Sequence, residues 1–165
     1  MNYPVIHLKR GKEESLDRFH PWVFSGAIAS APDNLEEGDV VTVNASDGRL
    51  IGVGHFQIGS IAVRMLDFGT TTIDARFYHK RLEAALALRK VLGLDRADNN
   101  AYRLVHGEGD FLPGLVVDVY GDTAVVQAHS PGMHFARNII AQELVALLGL
   151  PVKNVYYKSE TTLPY

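Results

Sequence analysis

The sequence predicts an α+β protein in two parts, a small β-barrel or sandwich followed by a mixed domain of several strands and two helices. Short Val- and Ile-rich stretches separated by glycine-bearing turns indicate the β part. Two later stretches, residues 74–93 and 132–148, repeat apolar side chains at helical spacing. A chain of 165 residues is long enough for two small domains, each with its own core. We therefore expect domains over residues 1–70 and 71–165.

The first domain contains one strong hairpin signal. Asp47 and Gly48 both tolerate a positive φ, and the stretch on each side of them is rich in Val and Ile. Residues 9–20 are polar and contain a glycine, so they form a loop or a short helix. Strands are predicted over residues 3–8, 39–44, 50–56 and 61–66.

The second domain begins with a helix that Asp74 can cap and that Gly93 can end. A second helix, with a broad apolar face, is predicted over residues 132–148, and Gly149 and Pro151 can end it. The dipeptide at residues 121–122 predicts a second hairpin. Strands are predicted over residues 102–105, 115–120, 123–128 and 152–157.

Composition excludes several classes of protein. The chain has no cysteine, which excludes disulfide scaffolds, thiolate zinc sites and catalysis by a cysteine of residues 1–165. Its apolar stretches are shorter than the roughly 20 residues that span a bilayer, and its first residues lack the layout of a signal peptide. We therefore expect a cytoplasmic protein with no membrane partner. The formal net charge of −3 argues against coating nucleic acid by bulk electrostatics.

One local run of basic residues nevertheless stands beside aromatic ones. Residues 1–70 hold six Lys and Arg against nine Asp and Glu, yet four of the six cations fall within ten positions. Such an arrangement suits phosphate contacts with a base stacked nearby. Arg49 and Arg64 are further cations in this domain, and Arg64 lies in an otherwise apolar strand. The candidate RNA-binding residues are Lys9, Arg10, Lys12, Arg18, His20, Trp22 and Arg64.

Two interpretations of these residues stay open. Trp22 and Phe24 are two positions apart and can share one face of a strand, where they could form a buried aromatic plug. Each nearby cation, taken alone, is typical of a solvated surface charge.

The glycine-rich stretch at residues 106–110 also has two interpretations. His106, Glu108 and Asp110 could be metal ligands of a hydrolase, but the spacing matches no zinc helix and the glycines disfavour an extended strand. A turn with capping carboxylates is the simpler interpretation. Neither glycine pair, at residues 107–109 or 52–54, continues into the dinucleotide fingerprint. The sequence therefore predicts no metal, nucleotide or cofactor site.

Two longer motifs carry a family resemblance. They are His20-Pro-Trp-Val-Phe-Ser-Gly26 and Tyr102-Arg-Leu-Val-His-Gly-Glu-Gly-Asp110, the second followed by Leu112-Pro-Gly-Leu-Val-Val-Asp118. Together they resemble bacterial methyltransferases that use S-adenosylmethionine to methylate cytosine C5 of 23S ribosomal RNA and carry an N-terminal PUA RNA-binding domain. Over nearly the whole chain the order of motifs is similar to that family's. Phe111 stands where the family has a small residue or glycine, and Ala27 where it often has an acid.

The resemblance implies a PUA-like small β-barrel followed by a mixed α+β linker domain. In that family a Rossmann-like methyltransferase domain follows and supplies the cofactor site and the catalytic cysteine. The resemblance thus implies that the chain is the N-terminal portion, inactive alone, with that domain missing in cis. Its expected partner is RNA, namely 23S ribosomal RNA, and S-adenosylmethionine is expected for the full-length protein only. The alternative is a stand-alone PUA RNA-binding protein without catalysis.

An apolar surface left by a missing domain would favour association of two copies. We therefore expect some homodimer at high protein concentration.

Overall fold

The structure is a computed structural model that describes residues 3–148 and 152–159. The chain divides into two compact units, Met1–Thr72 and Ile73–Tyr165. The first unit is built on a six-stranded sheet, and the second combines helices with a four-stranded sheet. The predicted fold class is therefore confirmed. Within the described part of the chain, no helix is long and apolar enough to cross a membrane.

The first unit forms one sheet in the order β2-β6-β5-β4-β1-β3. Neighbouring strands are antiparallel except β1 and β4, which are parallel. The predicted loop or short helix before residue 20 contains the short helix α1. The elements are β1 (Val5–Leu8), α1 (Glu14–Asp17), β2 (Trp22–Phe24), β3 (Ile28–Ser30), β4 (Val40–Asn44), β5 (Leu50–Phe56) and β6 (Ile61–Asp67).

Strands β4 and β5 form the hairpin that the sequence predicts. Gly48 has a φ of +87°, a left-handed conformation that glycine adopts without steric cost. The Arg49 N–H donates to the Asp47 carboxylate at 2.9 Å, and the Ala45 N–H donates to the Arg49 carbonyl at 2.8 Å. This turn fixes the register of the two strands.

Strands β5 and β6 approach each other closely at two glycines. A Cβ on Gly52 would lie 2.1 Å from the Asp67 carbonyl oxygen, and one on Gly54 would lie 2.5 Å from the Arg64 carbonyl oxygen. The pairing register shifts between Val53 and Gly54, as at a β-bulge. Apolar side chains fill the adjoining core: Ile6, Leu8, Leu16, Val23, Val41, Val43, Ala45, Ile51, Val63 and Met65.

The second unit forms a sheet in the order β10-β9-β8-β7, antiparallel except for the parallel pair β10 and β9. Helices α2 and α4 pack on each other. The predicted hairpin at residues 121–122 is confirmed. The elements are α2 (Ala75–Val91), β7 (Ala101–His106), β8 (Leu115–Tyr120), β9 (Thr123–Ala128), α3 (Pro131–Phe135), α4 (Arg137–Leu148) and β10 (Asn154–Tyr157).

The helix predicted over residues 132–148 is two helices. Ala136 separates α3 from α4 and has a φ of −78° and a ψ of −3°, at the edge of the right-handed helical region. The His134 carbonyl accepts a hydrogen bond from the Arg137 guanidinium at 2.8 Å, a local bond at the break. The predicted end of the second helix, at Gly149 and Pro151, lies outside the described residues. The predicted start of the first helix is confirmed, since the Asp74 carboxylate accepts from the Phe77 N–H at 3.0 Å.

A buried ion pair joins α2 to the glycine-rich turn after β7. The Arg89 guanidinium donates to both carboxylate oxygens of Asp110, at 2.5 and 2.7 Å, and its Nε donates to the Arg103 carbonyl at 2.9 Å. The Asp110 carboxylate also accepts from the His106 N–H at 2.6 Å. Both side chains are less than a tenth exposed. The Asp110 carboxylate thus bonds to the backbone of its own turn as well as to Arg89.

We expect Asp110→Ala to destabilise the second unit by about 3–5 kcal/mol, because it leaves the Arg89 charge buried without its partner. Urea unfolding followed by far-UV circular dichroism measures the change, since the long helices belong to this unit. The control is Asp98→Ala, which breaks the exposed pair with Arg96 and should cost less than about 1 kcal/mol. Equal effects of the two changes would contradict this assignment.

Candidate nucleic-acid interface

Strand β2 holds residues 22–24 in an extended conformation at the edge of the first sheet. It pairs with β6 so that Trp22 lies opposite Arg64, and the Met65 N–H donates to the Pro21 carbonyl at 2.8 Å. Val23 points into the core and is 2% exposed. The pairing register shifts between Val23 and Phe24, and the side chains on both sides of Val23, Trp22 and Phe24, are half-buried and exposed respectively, so they point away from that core.

Three rings therefore line one side of this segment, and we call His20, Trp22 and Phe24 the aromatic row. The Trp22 ring centroid lies 5.6 Å from that of His20 and 6.3 Å from that of Phe24, with near-perpendicular planes in both pairs. The backbone N–H of Trp22 also donates to His20 Nδ1 at 3.3 Å. Phe24 is 50% exposed and Trp22 is half-buried, so the row is a surface feature and not a buried plug.

Two of the predicted cations lie against the row. The Arg64 guanidinium is 5.8 Å from the Trp22 ring centroid, within cation–π range, and its Nε donates to the Gln57 side-chain oxygen at 3.0 Å. Lys12 lines a cavity of about 310 Å³ beside the row. The other residues that line this cavity, which we call the β2 groove, are Ser15, Leu16, Trp22, Val23, Phe24, Gly26 and Ala27.

The remaining predicted cations are exposed on the same unit. Lys9 Nζ donates to the Gly26 carbonyl at 2.9 Å, which places its ammonium next to a residue of the β2 groove. Among the contacts described for residues 3–148, none joins the side chains of Arg10 or Arg18 to the aromatic row. The structure thus gathers five of the seven predicted residues and leaves these two apart.

The acidic residues of this region are partly neutralised. Arg49 donates to both carboxylate oxygens of Asp17, at 3.0 and 3.2 Å. This exposed pair occupies Arg49, the further cation that the sequence offered, and also cancels one negative charge of α1. Lys9, Lys12 and Arg64 are the cations that contact the aromatic row or residues of its groove.

Sequence reasoning did not propose Phe24 as an RNA-binding residue. The i, i+2 spacing of Trp22 and Phe24 places both on one face, but it does not say whether that face is buried or exposed. The pairing of β2 with β6 decides this, because it turns Val23 into the core.

The glycine-rich turn offers no comparable site. Residues Gly107–Asp110 form a single 3₁₀ turn, and Phe111 follows in a left-handed conformation with φ +56°. Both carboxylate oxygens of Asp110 are bonded to Arg89 or to the backbone, so they are not free to hold a metal. Over residues 3–148 and 152–159, no group of three or more His, Asp or Glu side chains could bind a metal ion.

A family model matches most of the first unit. Residues 6–68 match a family model described as a PUA-like domain, so a PUA-like β domain precedes the mixed α+β unit.

Curated relatives match almost the whole chain. The chain is 38% identical over 160 residues to Ribosomal RNA large subunit methyltransferase I of Aeromonas salmonicida, and 40% identical over 162 residues to the protein of that name in Alteromonas mediterranea. The protein of that name in Vibrio cholerae is 32% identical over 161 residues. These matches cover 96–97% of the chain and 40% of each relative. The chain therefore spans well under half the length of the curated relatives it matches.

Solved structures show the same fold. A proposed S-adenosylmethionine-dependent methyltransferase from Streptococcus mutans has a TM-score of 0.80 at 17% identity, over 96% of this chain and 41% of its own. A proposed methyltransferase in complex with SAH has a TM-score of 0.79 at 17% identity, over 96% of this chain and 40% of its own.

One buried titratable group lies on β5, opposite Arg64. Burial lowers the pKa of His55 to about 4, so its imidazole is neutral in the folded first unit at pH 7.

This lowered pKa predicts a pH-dependent stability. In the unfolded chain His55 protonates near its ordinary pKa of 6.5, whereas the folded state resists protonation down to about pH 4. Its contribution to stability is therefore complete above pH 6.5 and is lost as the pH falls towards 4, by about 3 kcal/mol. Urea unfolding followed by the fluorescence of Trp22 measures it. His55→Gln should remove this part of the acid destabilisation, and the exposed-site control His20→Gln should keep it. An unchanged pH profile in His55→Gln would contradict the assignment.

Proposed function

We propose that this chain is the RNA-binding N-terminal portion of an S-adenosylmethionine-dependent methyltransferase that modifies cytosine C5 of 23S ribosomal RNA. The observation that carries the proposal is the similarity of almost the whole chain to proteins named as large-subunit ribosomal RNA methyltransferases. The PUA-like domain supports RNA as the partner. The choice of cytosine C5 comes from the motifs around residues 20–26 and 102–118, which resemble that family.

Neither glycine pair of the chain has the form of a loop that binds S-adenosylmethionine. The glycines at 107 and 109 belong to a short 3₁₀ turn that ends at Phe111, and no helix opens there to receive a phosphate or a cofactor. Gly52 and Gly54 face the carbonyl oxygens of β6, where even a methyl group has no room. We therefore assign cofactor binding and methyl transfer to parts of the protein beyond this chain.

The part that this chain plays in the proposal is to hold RNA. Lys9, Arg10, Lys12 and Arg18 are exposed and carry four positive charges on a unit whose overall balance is negative. Each cation that contacts a phosphate releases a counterion, so local binding of this kind depends steeply on salt. Trp22 on β2 contacts both His20, which precedes the strand, and Arg64 on the neighbouring β6, and these residues provide the ring surface beside these charges.

The test is binding of the chain to a structured 23S ribosomal RNA fragment over a salt series. A variant with Lys9, Arg10, Lys12 and Arg18 changed to Ala should bind more weakly, and its logarithmic salt slope should be smaller by up to about three units, because each lost phosphate contact removes about 0.7. Filter binding or anisotropy measures both quantities.

The matched control changes four exposed cations of the second unit to Ala: Arg76, Lys80, Lys90 and Lys153. It removes the same formal charge, so it separates a local surface from a net-charge effect. Equal losses in the two variants, or equal binding by wild type and both variants, would overturn the assignment of the surface. No binding by the wild-type chain at low salt would overturn the proposed function.

A further inference from the structure

We infer that the aromatic row and the β2 groove bind an unpaired RNA nucleotide, with its base stacked on Phe24. This inference rests on the proposed function and deepens it, because it specifies single-stranded rather than helical RNA as the ligand of this site.

The first observation is the exposure of Phe24. Half of this phenylalanine is open to solvent at the end of an edge strand, although its ring is apolar and its neighbour Val23 is fully engaged in the core. Trp22 meets the ring of Phe24 edge-on at an interplanar angle of 90°. The Phe24 ring therefore packs against the edge of Trp22, while much of its surface stays available to a flat partner such as a nucleobase.

The second observation is the shape and chemistry of the β2 groove. Its volume of about 310 Å³ falls at the lower end of the range for small-ligand sites, which suits one nucleotide rather than a helix. Trp22 and Phe24 form its aromatic wall, whereas Ser15 and Gly26 supply a hydroxyl group and a main-chain segment without a side chain. Such polar groups can bond to the edge of a base whose face is stacked.

The third observation is the position of positive charge. Lys12 lines the groove itself, and the ammonium of Lys9 is held next to it by the Gly26 carbonyl. Arg64 lies over the Trp22 ring on the neighbouring strand. A nucleotide with its base on Phe24 would thus place its phosphate near two ammonium groups. Their positive charge complements the negative charge of the phosphate.

Base pairing would remove this mode of binding. In an RNA duplex the faces of the bases are stacked on each other and only their edges and the backbone are accessible. Phe24 could then contribute nothing, and the surrounding cations alone would bind. Single-stranded and double-stranded forms of one sequence therefore discriminate between stacking and phosphate contact.

Trp22 is the only tryptophan of the chain, so its fluorescence reports binding at this surface. The probes are a short single-stranded RNA and the same strand annealed to its complement. We expect the single strand to change the emission saturably and to bind more tightly than the duplex. Phe24→Ala should weaken binding of the single strand by about 5- to 150-fold, the range that follows from the loss of one stacked base.

The conservative variant Phe24→Tyr should restore single-strand binding, since tyrosine also stacks. The matched control is Phe135→Ala, which removes a comparably exposed ring from the second unit and should bind as the wild type does. Circular dichroism establishes that each variant is folded.

The inference is overturned if Phe24→Ala binds the single strand as tightly as the wild type, or if the duplex binds at least as well as the single strand. Either result would leave RNA binding by this unit intact, provided that the variant with Lys9, Arg10, Lys12 and Arg18 changed to Ala binds RNA more weakly than the wild type does. If no RNA binds to any form of the chain, the proposed function fails as well.

Discussion

The extended pairing of β2 with β6 is the constraint on which the candidate interface depends. It is an edge pairing, so one side of residues 22–24 is hydrogen-bonded to the sheet while the aromatic row stays accessible. Burial of Val23 fixes the register, because a slip by one residue would exchange the core face for the outer face. The same register places Arg64 against Trp22. This short strand thus determines which side chains are buried and which are accessible to a ligand.

The second unit contains a buried ion pair. Arg89 and Asp110 are buried, bonded on both sides, and tie the longest helix to the turn after β7. Groups satisfied in this way stabilise a scaffold and are not available for acid–base chemistry or metal binding. Phe111 follows that turn in a left-handed conformation, which explains why a glycine or small residue is the expected choice there. The first unit, by contrast, keeps Lys9, Lys12 and Phe24 exposed at its surface.

Local signals predicted most of the fold. The turn at Asp47 and Gly48 and the cap at Asp74 act within a few residues, so sequence alone suffices to identify them. The sequence does not predict the break at Ala136, since apolar spacing continues through it. Contacts between residues distant in sequence are not predicted either. The sequence predicts Arg64 and Trp22 as RNA-binding residues, but only the strand order brings them together.

A two-dimensional NMR titration of the labelled chain with a short single-stranded RNA tests most directly whether β2 presents the RNA-binding surface. We expect the indole N–H of Trp22 and the backbone amides of β2 and of residues 12–15 to shift together and saturably. The amides of the second unit around Arg89 and Asp110 should stay in place. Shifts concentrated elsewhere, with the Trp22 indole signal unmoved by RNA that binds, would show that β2 does not present this surface.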